Sequence, residues 1–300
     1  MKYQNIIENQ TFDEERALYN LKNTVVKNCV FAGKQDGESV LKETRNVSVQ
    51  NCQFSLRYPL WHAQNYELLH STMDELTRAP IWYSHHGIID HCQINGIKIL
   101  RECSDTVVSN CHIISPEFGW YSHDIFVKDS TIQSEYIFMN TDNVKVDYLQ
   151  FKGKYSFQYM HNLEINDSYL DTKDAFWHSE NIVVRNSVLK GEYLAWFSKN
   201  LTLIDCQIIG TQPFCYCENL KLINCEMIDT DLAFEYSDVE ADIKGHVDSI
   251  KNPKSGMIIV DSVGEIIHDD PVMEVSGQVM LRNEFNSQCH KKCQCVLEKC

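Results

Sequence analysis

Three residues at regular 19-residue spacing, His86, Asp105 and Asp124, have side chains suited to acid–base chemistry. If residues 19 apart lie on neighbouring parallel strands, the two carboxylates are roughly 4.8 Å apart at the backbone. Carboxylates at that distance raise the pKa of one member and leave the other ionised, which divides acid and base roles. Asp105 and Asp124, with His86, are therefore candidate catalytic residues. The alternative is that the aspartates replace asparagine in a structural column and are neutralised by Arg101.

Aromatic residues and one arginine surround these positions and could hold a sugar-like or anionic ligand. Arg101 falls midway between Trp82 and Trp120 at the same spacing, and guanidinium groups stack on aromatic rings. The candidate substrate-binding residues are Arg101, Glu102, Trp82, Tyr83, Trp120, Tyr121 and Trp177.

Two further groups carry side chains that ligate metals. His123, Asp142 and His161 are again 19 residues apart, and imidazole and carboxylate both bind divalent cations. The outer two would be ~9.6 Å apart at the backbone, so a solvated polar edge is the alternative. Thiols that could bind Zn²⁺ occur at Cys289, Cys293, Cys295 and Cys300. Their spacing is not a standard zinc frame, so a tail without metal is the alternative, and no cofactor is expected.

The spacing of these candidates reflects an internal repeat. Segment 200–206, Asn-Leu-Thr-Leu-Ile-Asp-Cys, recurs at 219–225 as Asn-Leu-Lys-Leu-Ile-Asn-Cys. Apart from one step of 23 and one of 21, successive leading residues are 19 apart, so the repeat organises more than 200 residues. The leading residues are Asn23, Asn46, Asn65, His86, Asp105, Asp124, Asn143, Asn162, Asn181, Asn200, Asn219 and Asp238.

Each repeat alternates apolar and polar residues in short bursts separated by Asn, Asp and Gly, which predicts short strands joined by turns. So short a unit cannot bury its apolar face alone, and successive units must stack as coils of a parallel β-helix. We expect the leading residues to form an asparagine ladder at a turn. Six cysteines share a column six positions further on, where we expect the thiols to pack inside the stack. They are Cys29, Cys52, Cys92, Cys111, Cys206 and Cys225.

The five tryptophans also share a column, four positions before the leading residue. The column immediately before them is apolar, from Leu60 and Ile81 to Phe214. We therefore expect that column to point inward and the tryptophans to point outward. A stripe of outward aromatic rings is typical of a ligand-binding platform or of a surface that contacts a partner.

Length, charge and the absence of targeting signals restrict the class of function. The 300 residues carry 27 Lys and Arg against 42 Asp and Glu, a net charge of −15, so a nucleic acid is not expected as a partner. No run approaches the ~20 apolar residues that span a bilayer, and the N-terminus lacks the features of a secretory signal. We expect a cytoplasmic protein that is not bound to a membrane and keeps its thiols reduced.

Six stretches of the chain carry a resemblance to a known family: 12–18, 78–83, 100–103, 117–120, 210–213 and 251–256. Through them, the region from about residue 10 to residue 268 is similar to an uncharacterised bacterial family, a domain of unknown function. The resemblance implies an all-β fold, the single-stranded right-handed parallel β-helix of the pectin-lyase-like superfamily, and implies no established activity.

The catalytic motifs of polygalacturonases and pectate lyases, which belong to that superfamily, are missing. Asn140-Thr141-Asp142 matches the first triplet of polygalacturonase-like enzymes. The Asp-Asp, Gly-His-Gly and Arg-Ile-Lys elements that should follow do not occur at workable spacing. No group of carboxylates suggests the Ca²⁺ site of a pectate lyase.

The rhythm of the repeat defines the predicted domains. We predict a β-helix over 1–243 with an N-terminal cap at about 1–22, irregular C-terminal strands or a cap over 244–288, and a cysteine-rich tail over 289–300. One predicted function is to bind or process carbohydrate, as a lyase or glycoside hydrolase, in a groove along the aromatic stripe. The other is a non-catalytic binding or scaffold protein, whose tryptophan face contacts a partner or a second copy.

Overall fold

The computed structural model describes residues 3–269 and 271–287. The fold is an all-β, right-handed parallel β-solenoid, as the repeat and the resemblance predict. The chain divides into two compact units, Met1–Asp171 and Thr172–Cys300, here called unit 1 and unit 2. Within the described residues, no helix has the length and apolar character that crossing a membrane requires.

Unit 1 consists of short strands that pair in parallel with strands of the neighbouring coil. Asn, Asp and Gly at the corners keep the strands short, because these residues favour turns. The strands are β1 (Asn5–Glu8), β2 (Thr11–Phe12), β3 (Lys22–Lys27), β4 (Val30–Phe31), β5 (Arg45–Gln50), β6 (Gln53–Phe54), β7 (Leu60–Trp61), β8 (Gln64–Leu69), β9 (Thr72–Met73), β10 (Ile81–Trp82), β11 (His85–Asp90), β12 (Gln93–Asn95), β13 (Ser104–Ser109), β14 (His112–Ile114), β15 (Glu117–Phe118), β16 (His123–Ile137), β17 (Asp142–Ser156) and β18 (His161–Asn166).

Unit 2 repeats this construction and ends in longer strands and a short helix at 282–287. The strand β19 (Tyr169–Lys173) contains residues of both units. The strands that follow are β20 (Glu180–Arg185), β21 (Val188–Lys190), β22 (Lys199–Ile204), β23 (Gln207–Ile209), β24 (Leu220–Ile228), β25 (Asp238–Lys251), β26 (Ser255–Ile267) and β27 (Gln278–Leu281).

The strand register confirms the 19-residue repeat. In unit 1, strands β11, β13, β16, β17 and β18 align so that residues 19 apart are direct neighbours on adjacent strands. One such column contains His85, Ser104, His123, Asp142 and His161. Side chains that are far apart in the sequence therefore line up along the stack at one rung per coil, about 4.8 Å apart.

The predicted directions of two neighbouring columns are also correct. Leu100 and Phe138, from the column before the tryptophans, are fully buried. Trp82 and Trp120 are half-buried and lie on the outside of the coil. Alternation along each short strand produces this difference, because successive side chains point to opposite faces.

Leading residues occupy a corner at which the backbone is left-handed. Asn143 has φ 55° and Asp124 has φ 56°, a conformation that asparagine and aspartate adopt more readily than most residues. The side-chain amides also bond along the stack. Asn162 Nδ2 donates to Asn143 Oδ1 at 2.9 Å, and in unit 2 Asn219 Nδ2 donates to Asn200 Oδ1 at 2.9 Å. The left-handed corner therefore explains why asparagine and aspartate occupy nearly every position of this column.

The cysteine column lies inside the solenoid, as predicted. Nine cysteines belong to the described residues, and all nine are buried and free. Burial raises the pKa of Cys52 to about 11, so this thiol stays protonated. Its backbone N–H donates to Ser71 Oγ in the next coil at 3.1 Å, which explains how serine and cysteine exchange in one column of small residues.

The two ends of the described chain contribute strands of their own. β1 and β2, in the stretch expected to be an N-terminal cap, pair in parallel with β3 and β4 and so extend the stack. Towards the C-terminus, β25 and β26 pair with partners 17 residues apart, as in Asp238 with Ser255, and the register shifts after Ile243. The predicted departure from the 19-residue rhythm after residue 243 is thus a change of coil length within paired strands.

Candidate functional site

The candidate catalytic residues lie on an exposed corner of unit 1. His86 Nδ1 is 3.6 Å from Asp105 Oδ2. Asp124 Oδ2 is 2.7 Å from His123 Nδ1, and Asp124 Oδ1 accepts a hydrogen bond from Asn143 Nδ2 at 3.1 Å. These hydrogen bonds, chiefly that of His123, lower the pKa of Asp124. Asp124 therefore remains ionised at neutral pH and is a poor general acid.

A hydrogen-bond relay orients His85 beside this corner. Ser104 Oγ donates to Asp105 Oδ2 at 2.8 Å, and His85 Nδ1 lies 2.8 Å from the same hydroxyl oxygen. Since the hydroxyl has a single proton, His85 Nδ1 is the donor to it. Burial lowers the pKa of His85, and the nearby His86 lowers it further. His85 is therefore a neutral imidazole whose Nε2 can accept a proton or a hydrogen bond.

The three residues considered for a metal are paired in other ways. His161 Nδ1 contacts Asp142 Oδ1 at 3.0 Å, whereas His123 contacts Asp124. Among residues 3–269 and 271–287, no three or more His, Cys, Asp or Glu side chains are grouped as a metal ion would require. The structure thus does not bring His123, Asp142 and His161 around one point. The tail thiols of Cys289, Cys293, Cys295 and Cys300 lie outside the described residues.

Within each unit, two tryptophans of the stripe stack on one another. The indoles of Trp61 and Trp82 stack at 5.3 Å with an interplanar angle of 3°. The Arg101 guanidinium lies 5.2 Å from the centre of the Trp82 ring, and Trp82 Nε1 donates to the Lys98 carbonyl at 2.7 Å. In unit 2, Trp177 stacks similarly on a neighbouring indole at 5.3 Å. Trp82, between Trp61 and Arg101, therefore presents its edge to solvent rather than an open face.

Arg101 is held by its aromatic neighbours. Its guanidinium lies 5.9 Å from the Trp120 ring and 5.3 Å from the Tyr121 ring, and its Nε is 3.8 Å from Glu102 Oε1. The crevice that Arg101 and Trp120 line, together with Lys98, Ile99 and Glu117, is too small to hold a water molecule. The arrangement predicted from the sequence is thus present, but its cation faces aromatic rings instead of an open cleft.

A second aromatic column, one position after the tryptophans, was only partly predicted. Tyr83 and Tyr121 were identified from the sequence, whereas the stacking of Tyr83 on His62 at 5.0 Å was not. In unit 2 the same column stacks Phe197 on Tyr216 at 4.8 Å. The sequence contains a signal for this column, because the residue directly after the tryptophan position is aromatic in several coils.

The sequence did not reveal an open cavity of about 330 Å³ on the outer surface of unit 1. That volume lies within the range of small-molecule binding sites. The cavity spans four coils, and most of its outward side chains carry hydrogen-bonding groups. The lining residues are Gln53, Phe54, Ser55, Thr72, Met73, Asp74, Glu75, Gln93, Ile94, Asn95, His112 and Ile114.

The cavity forms beside the coil that is two residues longer than the repeat. Between Asn65 and His86 the spacing is 21, and the chain turns there as Thr77 N donates to the Asp74 carbonyl at 3.0 Å. The Asp74 carboxylate accepts the Ser55 hydroxyl and, at 3.0 Å, the backbone N–H two residues later. These bonds fix the turn, and Glu75, the next residue, is exposed and lines the cavity.

The model of a family described as "Protein of unknown function (DUF3737)" matches residues 5–280. A search of curated proteins finds no match. Among solved structures, PfbA, a surface adhesin of Streptococcus pneumoniae, is similar over 93% of this chain and 92% of its own, with a TM-score of 0.53 and 7% identity.

Two further structures resemble this chain more distantly. The tailspike protein of E. coli bacteriophage HK620, solved with a pentasaccharide, is 11% identical with a TM-score of 0.42, covering 87% of this chain and 60% of its own. The A-module of the Azotobacter vinelandii mannuronan C-5 epimerase AlgE6 is 10% identical with a TM-score of 0.39, covering 91% and 87%. At such identities the likeness concerns the fold alone.

Proposed function

The chain belongs to the DUF3737 family, whose description assigns no activity, and we propose from its own geometry that it binds a short oligosaccharide in the outer cavity of unit 1. The observation that carries this proposal is the cavity itself, formed where the coil departs from its repeat and lined by polar side chains. Departures from an otherwise consistent local pattern are where functional sites are expected.

The lining side chains form two parallel columns. Gln53, Thr72, Gln93 and His112 are in register along β6, β9, β12 and β14. Two positions further along each coil lie the members of the second column, Ser55, Asp74, Asn95 and Ile114. Rungs about 4.8 Å apart approach the length of one pyranose ring. A linear oligosaccharide along the stack would therefore meet a pair of polar side chains on each of three coils, and His112 with Ile114 on the fourth.

The chemistry of the lining also suits sugar hydroxyls. The amides of Gln53, Gln93 and Asn95 each offer both a donor and an acceptor, and the Thr72 hydroxyl offers the same on a shorter arm. Most of these side chains are exposed, so their hydrogen-bonding groups are accessible to a ligand. Of the apolar lining residues, Phe54, Met73 and Ile94 are buried and Ile114 is exposed. A surface whose exposed side chains are mostly hydrogen-bonding groups favours polyhydroxylated ligands over apolar ones.

Binding without cleavage is the form of this proposal that the corner residues support. Asp124 is held ionised by His123 and Asn143, and Arg101 is stacked between rings rather than open to a ligand. We therefore assign Asp105 and Asp124 to a hydrogen-bonded edge. Asp105→Asn and Asp124→Asn variants should bind oligosaccharides as the unmodified protein does. Product released by the unmodified protein and lost in either variant would instead make the pair catalytic.

The experiment that tests the binding proposal is a screen of short oligosaccharides by isothermal titration calorimetry with two matched variants. Thr72→Trp places an indole in the middle of the cavity, on an exposed position, and should abolish binding. Thr131→Trp is the control, because Thr131 continues the same column beyond the cavity, in register with His112. Failure of all oligosaccharides to bind, or equal binding by the Thr72→Trp variant, would contradict the proposal.

A further inference from the structure

The cavity of unit 1 has an asymmetric charge. Two carboxylates, Asp74 and Glu75, are among its described lining residues, and that set includes no lysine or arginine. The remaining polar members are neutral amides and hydroxyls and the imidazole of His112. A ligand in the cavity therefore meets negative charge that the lining itself does not neutralise.

The two carboxylates differ in how they are held. Asp74 is half-buried, and each of its oxygens accepts one hydrogen bond, from the Ser55 hydroxyl and from the Leu76 N–H. An ionised carboxylate has about four acceptor positions, so each oxygen can take another donor. Glu75 is exposed. The pair therefore offers one carboxylate held by hydrogen bonds and one exposed carboxylate, from consecutive residues of the cavity lining.

From this arrangement we infer that the bound oligosaccharide carries protonated amines, as a glucosamine oligomer does. An ammonium group donates three hydrogen bonds and gains Coulomb attraction from both carboxylates, whereas a uronic acid would be repelled. The amide oxygens of Gln53, Gln93 and Asn95 can accept the remaining protons of the ligand. The net charge of −15 adds long-range attraction for a cationic ligand. This inference rests on the proposed function, and it names the class of sugar.

The test compares three linear β-1,4-linked trimers, of glucosamine, of N-acetylglucosamine and of glucose, by calorimetry at a pH where the amine is protonated. We expect the glucosamine trimer to bind more tightly than the glucose trimer, by about fivefold for each carboxylate that contacts an ammonium group. A gain of this size is what one exposed ion pair contributes to affinity. The preference should shrink between roughly 20 mM and roughly 150 mM salt, because exposed charges are screened.

Glu75→Gln isolates the charge. This variant should lose about fivefold in affinity for the glucosamine trimer and bind the glucose trimer unchanged. Glu135→Gln, an exposed glutamate on β16 away from the cavity, should change neither. Equal or tighter binding of the neutral or acetylated trimer, or an unchanged preference in Glu75→Gln, would overturn the inference and leave oligosaccharide binding intact. Absence of binding by all three trimers would refute the inference, and absence across the whole oligosaccharide screen would refute the proposed function as well.

Discussion

Gly87 lies directly beside the buried phenol of Tyr66 in the neighbouring coil, and its replacement by alanine gives a sharp test of the core. A β-carbon at Gly87 would stand 2.3 Å from Tyr66 Cζ and 2.4 Å from its hydroxyl oxygen. Ordinary contacts between carbon atoms are about 3.5–4.0 Å, so the ring would have to move by more than about 1 Å. Tyr66 is fully buried, and overpacking of this kind costs about 1–3 kcal/mol. We expect Gly87→Ala to lower the free energy of unfolding by about 2–3 kcal/mol.

Urea denaturation followed by circular dichroism measures this change, and a double-mutant cycle identifies its cause. In a Tyr66→Leu background the added methyl group finds space, so the same Gly87→Ala substitution should cost much less there. Gly245→Ala is the control, because Gly245 has φ 82° and nothing within 4 Å of its β-carbon position; it should cost about 1 kcal/mol from backbone strain alone. A loss for Gly87→Ala below about 0.5 kcal/mol, or the same loss in both backgrounds, would refute the packing argument.

Three further predictions follow from buried and hydrogen-bonded groups. Phe138 is fully buried with its ring centre 5.4 Å from that of a neighbouring ring, so Phe138→Ala should lower the free energy of unfolding by about 3–5 kcal/mol. Tyr148 is 58% exposed, so Tyr148→Ala should change it by less than about 0.5 kcal/mol in the same urea assay. Partial burial raises the pKa of Asp90, but hydrogen bonds from its neighbours outweigh this and lower it to about 2. Its contribution to stability is therefore present above about pH 4 and lost as the pH falls towards 2, so Asp90→Asn should show a smaller fall in melting temperature over that window; an unchanged fall would contradict it. Burial raises the pKa of Cys103 to about 12, so peptide mapping should find this thiol unmodified by maleimide in the folded protein and modified in urea.

Sequence periodicity predicts the part of this structure that repeats. Leu100 and Phe138 could be assigned to the core because every coil places an apolar residue at that position, and alternation fixes the side on which it lies. Cys52 could be placed inside for the same reason, since cysteine or serine occupies its column in nearly every coil. Such assignments succeed because the same type of residue recurs at the same position in one coil after another.

Features that depend on ring orientation or on a single coil could not be predicted in this way. The sequence places Trp82 on the outside, but whether its face is open depends on how Trp61 and Arg101 pack against it. Gln53 and Thr72 come from coils of different length, and the cavity that they share lies beside the backbone turn near Asp74. A single turn is set by local hydrogen bonds that occur once, so periodicity contains no information about it.

The two extra residues between Asn65 and His86 do not disturb the coils that follow, because the spacing of the leading residues returns to 19 at once and stays there as far as Asp238. Added length is absorbed at one corner, while a deletion within β8 would turn the rest of that strand inside out. The scaffold is therefore modular in the sense that matters for protein engineering. Corner segments can be lengthened, exchanged or transplanted between coils to create new recognition surfaces, and the stacked interior need not be redesigned.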